Sequence, residues 1–107
     1  MNEFTKRGEA FESKFAHEEA LRFKAIARRN KLLGLWAAQR LGKAGADAEA
    51  YARAMVIASF EEPGDEGVIR KVASDLHAAK LPSDERQIRR VLEDLMSRAF
   101  DEIKAGL

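Results

Sequence analysis

Residues 15–41 read FAHEEALRFKAIARRNKLLGLWAAQRL, and this stretch decides the fold. It is rich in strong helix formers, contains no proline and holds a single β-branched residue, Ile26. Its length corresponds to roughly seven helical turns. On a helical wheel, Leu21, Ala25, Leu32 and Trp36 form one apolar stripe. Phe23, Ile26, Leu33, Ala37 and Leu41 form a second, and Arg22, Arg29 and Arg40 run between them. A helix lying on a core shows one stripe; two wide stripes predict neighbours on more than one side. Ala20, Ala27 and Gly34 recur every seven residues with Ala38 beside them, a row of small side chains that lets another helix approach closely. Glycine inside a helix costs about 1 kcal/mol relative to alanine, and close packing is the usual reason to accept that cost. The pattern predicts a central helix.

The rest of the chain supplies its neighbours. Gly42-Lys43-Ala44-Gly45 stops the first helix, since glycine reaches the left-handed cap conformation. Asp47 is then placed to cap a helix over 47–59, with Tyr51, Ala54, Met55 and Ala58 along one side. Pro63-Gly64 forces a turn, and Asp65 and Glu66 suit the positive end of a third helix over 65–79, amphipathic through Val68, Ile69, Val72 and Leu76. Leu81-Pro82-Ser83 breaks that helix. Asp84 with Gln87 resembles a capping box for a helix over 84–105, whose Ile88, Val91, Leu92, Leu95, Met96, Ala99 and Ile103 give the cleanest helical period in the chain. Neither strand alternation nor a hairpin dipeptide appears. The expectation is an all-α, four-helix bundle over 15–107.

The first fourteen residues read differently. They are mixed in charge and poor in aliphatics, yet carry Phe4 and Phe11, with Phe15 following. Spacings of seven and four place all three rings on one side of a helix. Gly8 and Thr5 weaken that helix, and a polar terminus frays when alone. The stripe either folds back onto the core or forms a binding segment that becomes helical on a partner. Extended into the central helix it falls on Arg22 and Arg29, between the core stripes, which favours the second reading. Residues 1–14 are expected to be a flexible binding segment.

Composition narrows the function. The 107 residues fit one small domain, with charged residues at 35%, a net charge of +1 and no cysteine. A balanced charge exerts no field toward nucleic acid or anionic lipid, and disulfides and thiol chemistry are excluded. The N-terminus has no apolar signal region, and no stretch approaches the ~20 apolar residues of a span, so a non-exported protein that does not insert into membranes is expected. The run from Arg22 to Lys31 has five basic residues and no acidic one, a pattern shared by nucleic-acid footprints and by solvated helix faces; the second is the commoner. His17 and His77 are sixty positions apart and lack the second histidine of a zinc-protease helix, and the acidic cluster before Val68 lacks the alternating ligands of a calcium loop. No glycine-rich phosphate loop or nucleophile elbow is present. The residues point to a binding or regulatory protein that is not an enzyme and uses no cofactor or metal.

Three strings carry a resemblance: FAHEEALRFKAIARRNKLLGLWAAQRLG (15–42), AEAYARAMVIASF (48–60) and EEPGDEGVIRKVASDL (61–76). They closely resemble the zeta subunit family, small inhibitors of the F1 ATPase of certain bacteria. The likeness is strongest over Phe15–Gly42 and Phe60–Leu76 and loosest after Pro82. It implies a four-helix bundle whose N-terminal segment inserts into a catalytic interface of the F1 ATPase, between its alpha and beta subunits and near the gamma rotor. The implied action is to block ATP hydrolysis more than synthesis, in the cytoplasm at the periphery of the inner membrane. On that reading the partner contacts are Phe4, Phe11 and Phe15 with the basic Arg7, Lys14, Arg22 and Arg29; the pairing of Arg7 and Lys14 with interface carboxylates rests on their charge alone. A structural adaptor bundle and a nucleic-acid-binding helix protein are the alternatives from other classes.

Overall fold

The computed structural model describes the backbone of residues 3–107 and the side chains of residues 16–107. Four helices follow one another: α1 (Glu3–Arg40), α2 (Gly45–Ser59), α3 (Glu66–Ala78) and α4 (Glu85–Lys104). The all-α, four-helix expectation holds, and no strand occurs among the described residues. The central helix is longer than its apolar pattern, which begins at Phe15, because α1 starts at Glu3. The side chains of Phe4, Arg7, Phe11, Lys14 and Phe15 lie outside the described residues, as does the mobility expected of 1–14.

Packing shows why α1 organises the bundle. Its Leu33 and Ala37 are buried together with Met55 of α2, Val68, Ile69, Val72 and Leu76 of α3, and Ile88 and Leu92 of α4. Each large side chain of that set contributes roughly 1.5–3 kcal/mol by leaving water. The small-residue row does what its spacing predicts at Gly34, where a Cβ would lie 2.7 Å from the Cα of Ala52 and 3.2 Å from the Cβ of Met55. Helix α2 therefore crosses α1 backbone to backbone. Two stripe assignments need correction. Phe23, expected in the core, is 59% exposed. Trp36 is only half-buried, its ring covered by the Arg40 guanidinium at 4.3 Å. Trp36 still packs against the core cluster, whereas Phe23 lies largely in the open.

The helix ends follow local chemistry. Helix α1 closes with Lys43 N–H donating to Ala38 O (2.9 Å) and Gly42 N–H to Gln39 O (3.1 Å), with Gly42 at φ 78°. That is a Schellman stop. Helix α3 closes the same way through Leu81 N–H to Leu76 O and Lys80 N–H to His77 O, but here a lysine takes the left-handed position at φ 61°. Helix α2 starts at Gly45, after an extended Ala44, so Asp47 sits inside its first turn and favours the dipole; the capping role expected of it is not filled. Asp84 does cap α4, accepting from the Arg86 N–H at 2.9 Å.

Length separates α1 from the rest. Its 38 residues correspond to about 57 Å, against about 30 Å for the 20 residues of α4. Ala16 through Ala20 are all exposed; burial begins at Leu21 and is first complete at Ala25. The N-terminal part of the helix thus runs beyond the bundle, in a molecule measuring 65 × 25 × 21 Å.

Candidate functional site

The basic run of α1 turns out to be two kinds of residue. Arg22 and Lys24 are exposed and make no ion pair among the described residues. Arg29 is only 6% exposed. Its Nη2 and Nη1 donate to the Asp65 carboxylate at 2.5 and 3.3 Å, and its Nε and Nη2 donate to Oδ1 of the neighbouring Asn30 at 3.1 and 3.0 Å. A guanidinium fork matches a carboxylate in this bidentate way, and burial without such partners would be costly. The pair fastens the middle of α1 to the start of α3. Asp65 occupies the N-cap position of α3 but makes no side-chain cap bond; its carboxylate is turned to Arg29 instead. Sequence reasoning assigned Asp65 to the helix dipole and Arg29 to a partner surface. The two lie thirty-six positions apart with no local pattern joining them.

The remaining cations are partly engaged. Arg28 donates to Glu102 of α4 at 3.3 Å, and Arg98 donates to the same carboxylate at 2.8 Å. These hydrogen bonds, Arg98's first, hold the Glu102 carboxyl below the usual range against some opposing desolvation. Lys31 faces Glu49 at 3.9 Å. Three of the five cations of the run are thus drawn into contacts within the chain, as expected of a helix face and not of a nucleic-acid footprint. On the opposite side, the Tyr51 hydroxyl donates to Asp75 at 2.7 Å; burial first, and then that carboxylate, push its phenol well above the ordinary value. Arg89 bridges α4 to α3 through both oxygens of Glu66, at 2.8 and 2.9 Å, which raises its affinity for the proton further.

Two surface features sit beside the basic run. Phe23 stacks on Phe60, centroids 5.3 Å apart and planes 18° from parallel, although both rings face solvent. Next to them, between α1, α2 and the end of α4, runs an open groove of about 550 Å³. His17 and His77 are exposed, and no cluster of metal-ligating side chains occurs among the described residues. No described helix is long and apolar enough to cross a membrane.

The bundle is fastened to the middle of α1, and Ala16 to Ala20 of that helix lie exposed ahead of it. A family model, ATPase inhibitor subunit zeta, matches residues 1–102. The chain belongs to the ATPase inhibitor subunit zeta family. A zeta subunit is a regulatory protein, so the role is inhibition of an ATPase and not catalysis. The chain is also similar to a protein whose structure was solved in solution by NMR, with 47% identity and a TM-score of 0.71, over 81% of this chain and 99% of that one. No curated protein matches it. In this zeta-family bundle Arg22 and Lys24 stay exposed on α1 while Arg29 is withdrawn into the interior.

Proposed function

We propose that this chain blocks ATP hydrolysis by the F1 ATPase by inserting residues 1–14 into a catalytic interface between alpha and beta subunits, close to gamma. The observation that carries the reading is the exposed course of α1 from Ala16 to Ala20, which leaves the helix without a partner of its own where it leads toward the segment. Phe4, Phe11 and Phe15 are the apolar contacts, Arg7 and Lys14 pair with carboxylates of the interface, and Arg22 extends the same face toward the bundle. Arg29 enters as an anchor, because its bond to Asp65 holds α1 in place while the segment is engaged.

The magnitudes are consistent with a useful inhibitor. Three buried rings yield roughly 1.5–3 kcal/mol each. Ordering the segment on binding costs about 2–5 kcal/mol, so a modest surplus remains and further contacts are needed for tight binding. A wedge in a rotary catalytic interface opposes one direction of rotation more than the other, so hydrolysis is blocked more than synthesis. The protein acts in the cytoplasm, held at the periphery of the inner membrane through its partner. The test is a titration of ATP hydrolysis by the purified ATPase with the full chain and with Phe4→Ala/Phe11→Ala. The double variant is expected to inhibit only at far higher concentration while keeping the helical spectrum of the parent; equal inhibition by both would remove the segment from the mechanism.

A further inference from the structure

We propose that the groove between α1, α2 and the end of α4 is a second docking surface, which takes an acidic, apolar segment of the same ATPase. The inference rests on the ATPase-inhibitor reading and adds a contact to it.

Exposed apolar side chains are not scattered over this bundle. The large hydrophobics left exposed among the described residues are Phe23, Ile57, Phe60 and Leu107. Phe23 and Leu107, 59% and 74% exposed, line the groove itself with Val56 and Ile103. Phe60 stacks on Phe23, and Ile57 lines a smaller depression that shares Val56 and Lys31 with the groove. One continuous apolar face results, of the kind that marks an interaction site.

Its charge gives the partner's chemistry. The charged side chains lining the groove are Lys24, Arg28 and Lys31, with no acidic side chain among them. Only Arg28 has a close carboxylate partner, Glu102 at 3.3 Å, while Lys31 is 3.9 Å from a half-exposed Glu49. Glu61 and Glu62 lie in the adjoining depression beside the Phe23–Phe60 stack and bound the basic surface on that side. An apolar floor with a cationic rim complements a segment in which carboxylates alternate with apolar side chains. A second copy of this chain fits poorly: a symmetric pairing across the groove brings two identical cationic rims together, like charge facing like.

Position strengthens the case. Phe23 lies nine residues after Lys14 on the same helix, about 13 Å along its axis. A segment contact and a groove contact joined by one helix act together, the second becoming effectively intramolecular once the first is made. This supplies the further binding that three phenylalanines alone leave wanting.

The experiment compares the full chain with K24E/K31E and with L107S, all changes at exposed positions whose helical spectra are checked first. Inhibition of ATP hydrolysis by the purified ATPase is titrated at low and moderate salt, and methyl NMR follows Val56, Ile103 and Leu107 on addition of that ATPase. The expected result is inhibition by the parent chain, at least about tenfold weaker inhibition by K24E/K31E with a flatter salt dependence, weaker inhibition by L107S, and perturbation of the Ile103 and Leu107 methyls beyond that of the core Leu76 methyls. Parent inhibition with both variants equally potent, and groove methyls that follow the core, would overturn the groove while leaving the inhibitor reading intact. Shifts of the same methyls when the chain alone is concentrated would assign the face to a second copy and overturn the proposal as well. A parent chain that does not inhibit defeats the inhibitor reading and, with it, this one.

Discussion

Replacing Asp65 with alanine strands a buried guanidinium. Arg29 is 6% exposed, and without Asp65 its remaining described partner is the Asn30 side-chain oxygen. Removing one partner of a fully buried pair costs about 3–5 kcal/mol. The Asp65 side chain is 45% exposed, so water can reach part of the vacated site, and the expected loss falls to about 2–3 kcal/mol, in line with a charge-assisted hydrogen bond. No capping energy is lost with it, because the Asp65 side chain makes no cap bond. Arg29→Met asks the reverse question. It removes the buried charge and leaves a carboxylate that solvent can hydrate, so the cost is about 1 kcal/mol or less. Urea unfolding followed by helical circular dichroism reads both. With a slope of roughly 1–3 kcal/mol per molar urea, Asp65→Ala is expected to lower the midpoint by about 0.7–3 M, clearly more than Arg29→Met at the same slope. The double variant R29M/D65A should fall close to Arg29→Met, giving a strongly non-additive cycle. Equal costs for the two single variants, or additivity, would refute the view that this pair is a buried interlock.

Three smaller perturbations test other parts of the fold. Gly34→Ala places a methyl 2.7 Å from the Cα of Ala52, an overpacking cost of about 1–3 kcal/mol. It outweighs the ~1 kcal/mol gain in helix propensity, so a lower melting temperature is expected and a higher one would deny the close crossing of α1 and α2. Lys80→Gly relieves a left-handed backbone at φ 61°, a strain of roughly 1–2 kcal/mol, and after the entropy of glycine in the unfolded chain a net gain of about 0.5–1 kcal/mol should raise the melting temperature. Glu102 is held below the ordinary carboxyl range, so its contribution is present above about pH 4.3 and lost as pH falls through its lower folded value. Melting curves of the parent and Glu102→Gln should therefore converge as pH falls below the ordinary carboxyl range, and a gap that stays constant would dissociate the Arg28 and Arg98 contacts from stability.

Periodicity carried much of this structure and stopped at identifiable points. The apolar positions of α3 and α4 predicted the burial of Val68, Ile69, Val72, Leu76, Ile88 and Leu92, because a helix packed on one side leaves a one-sided pattern. The glycine in α1 marked a real close approach. Phe23 went astray because a wheel gives an angle and not the length of the neighbouring helices; its side of α1 faces the loop after α2, where Phe60 meets it in the open. Arg29 went astray because a cation between apolar stripes ordinarily reaches solvent, whereas here the turn through Pro63 and Gly64 returns Asp65 onto it. Asp47 was a plausible cap, but the chain begins α2 two residues earlier at Gly45, so its carboxylate serves the dipole. The groove was invisible beforehand, since it gathers residues of α1, α2 and the C-terminus that share no spacing.

The proposed mechanism divides the labour between a bundle that scaffolds and a segment that inhibits. It is tested most directly by the concentration of protein that halves ATP hydrolysis by the purified ATPase, measured for the full chain and for a chain beginning at Phe15. The Arg29–Asp65 bond and the core lie wholly beyond the deletion, so the shortened chain should keep the helical spectrum of its remaining residues and unfold cooperatively. Its inhibition should fall nearly to nothing, since Phe4 and Phe11 leave with the segment. A folded, shortened chain that inhibits at the same concentration as the parent contradicts the account and places the activity on the bundle.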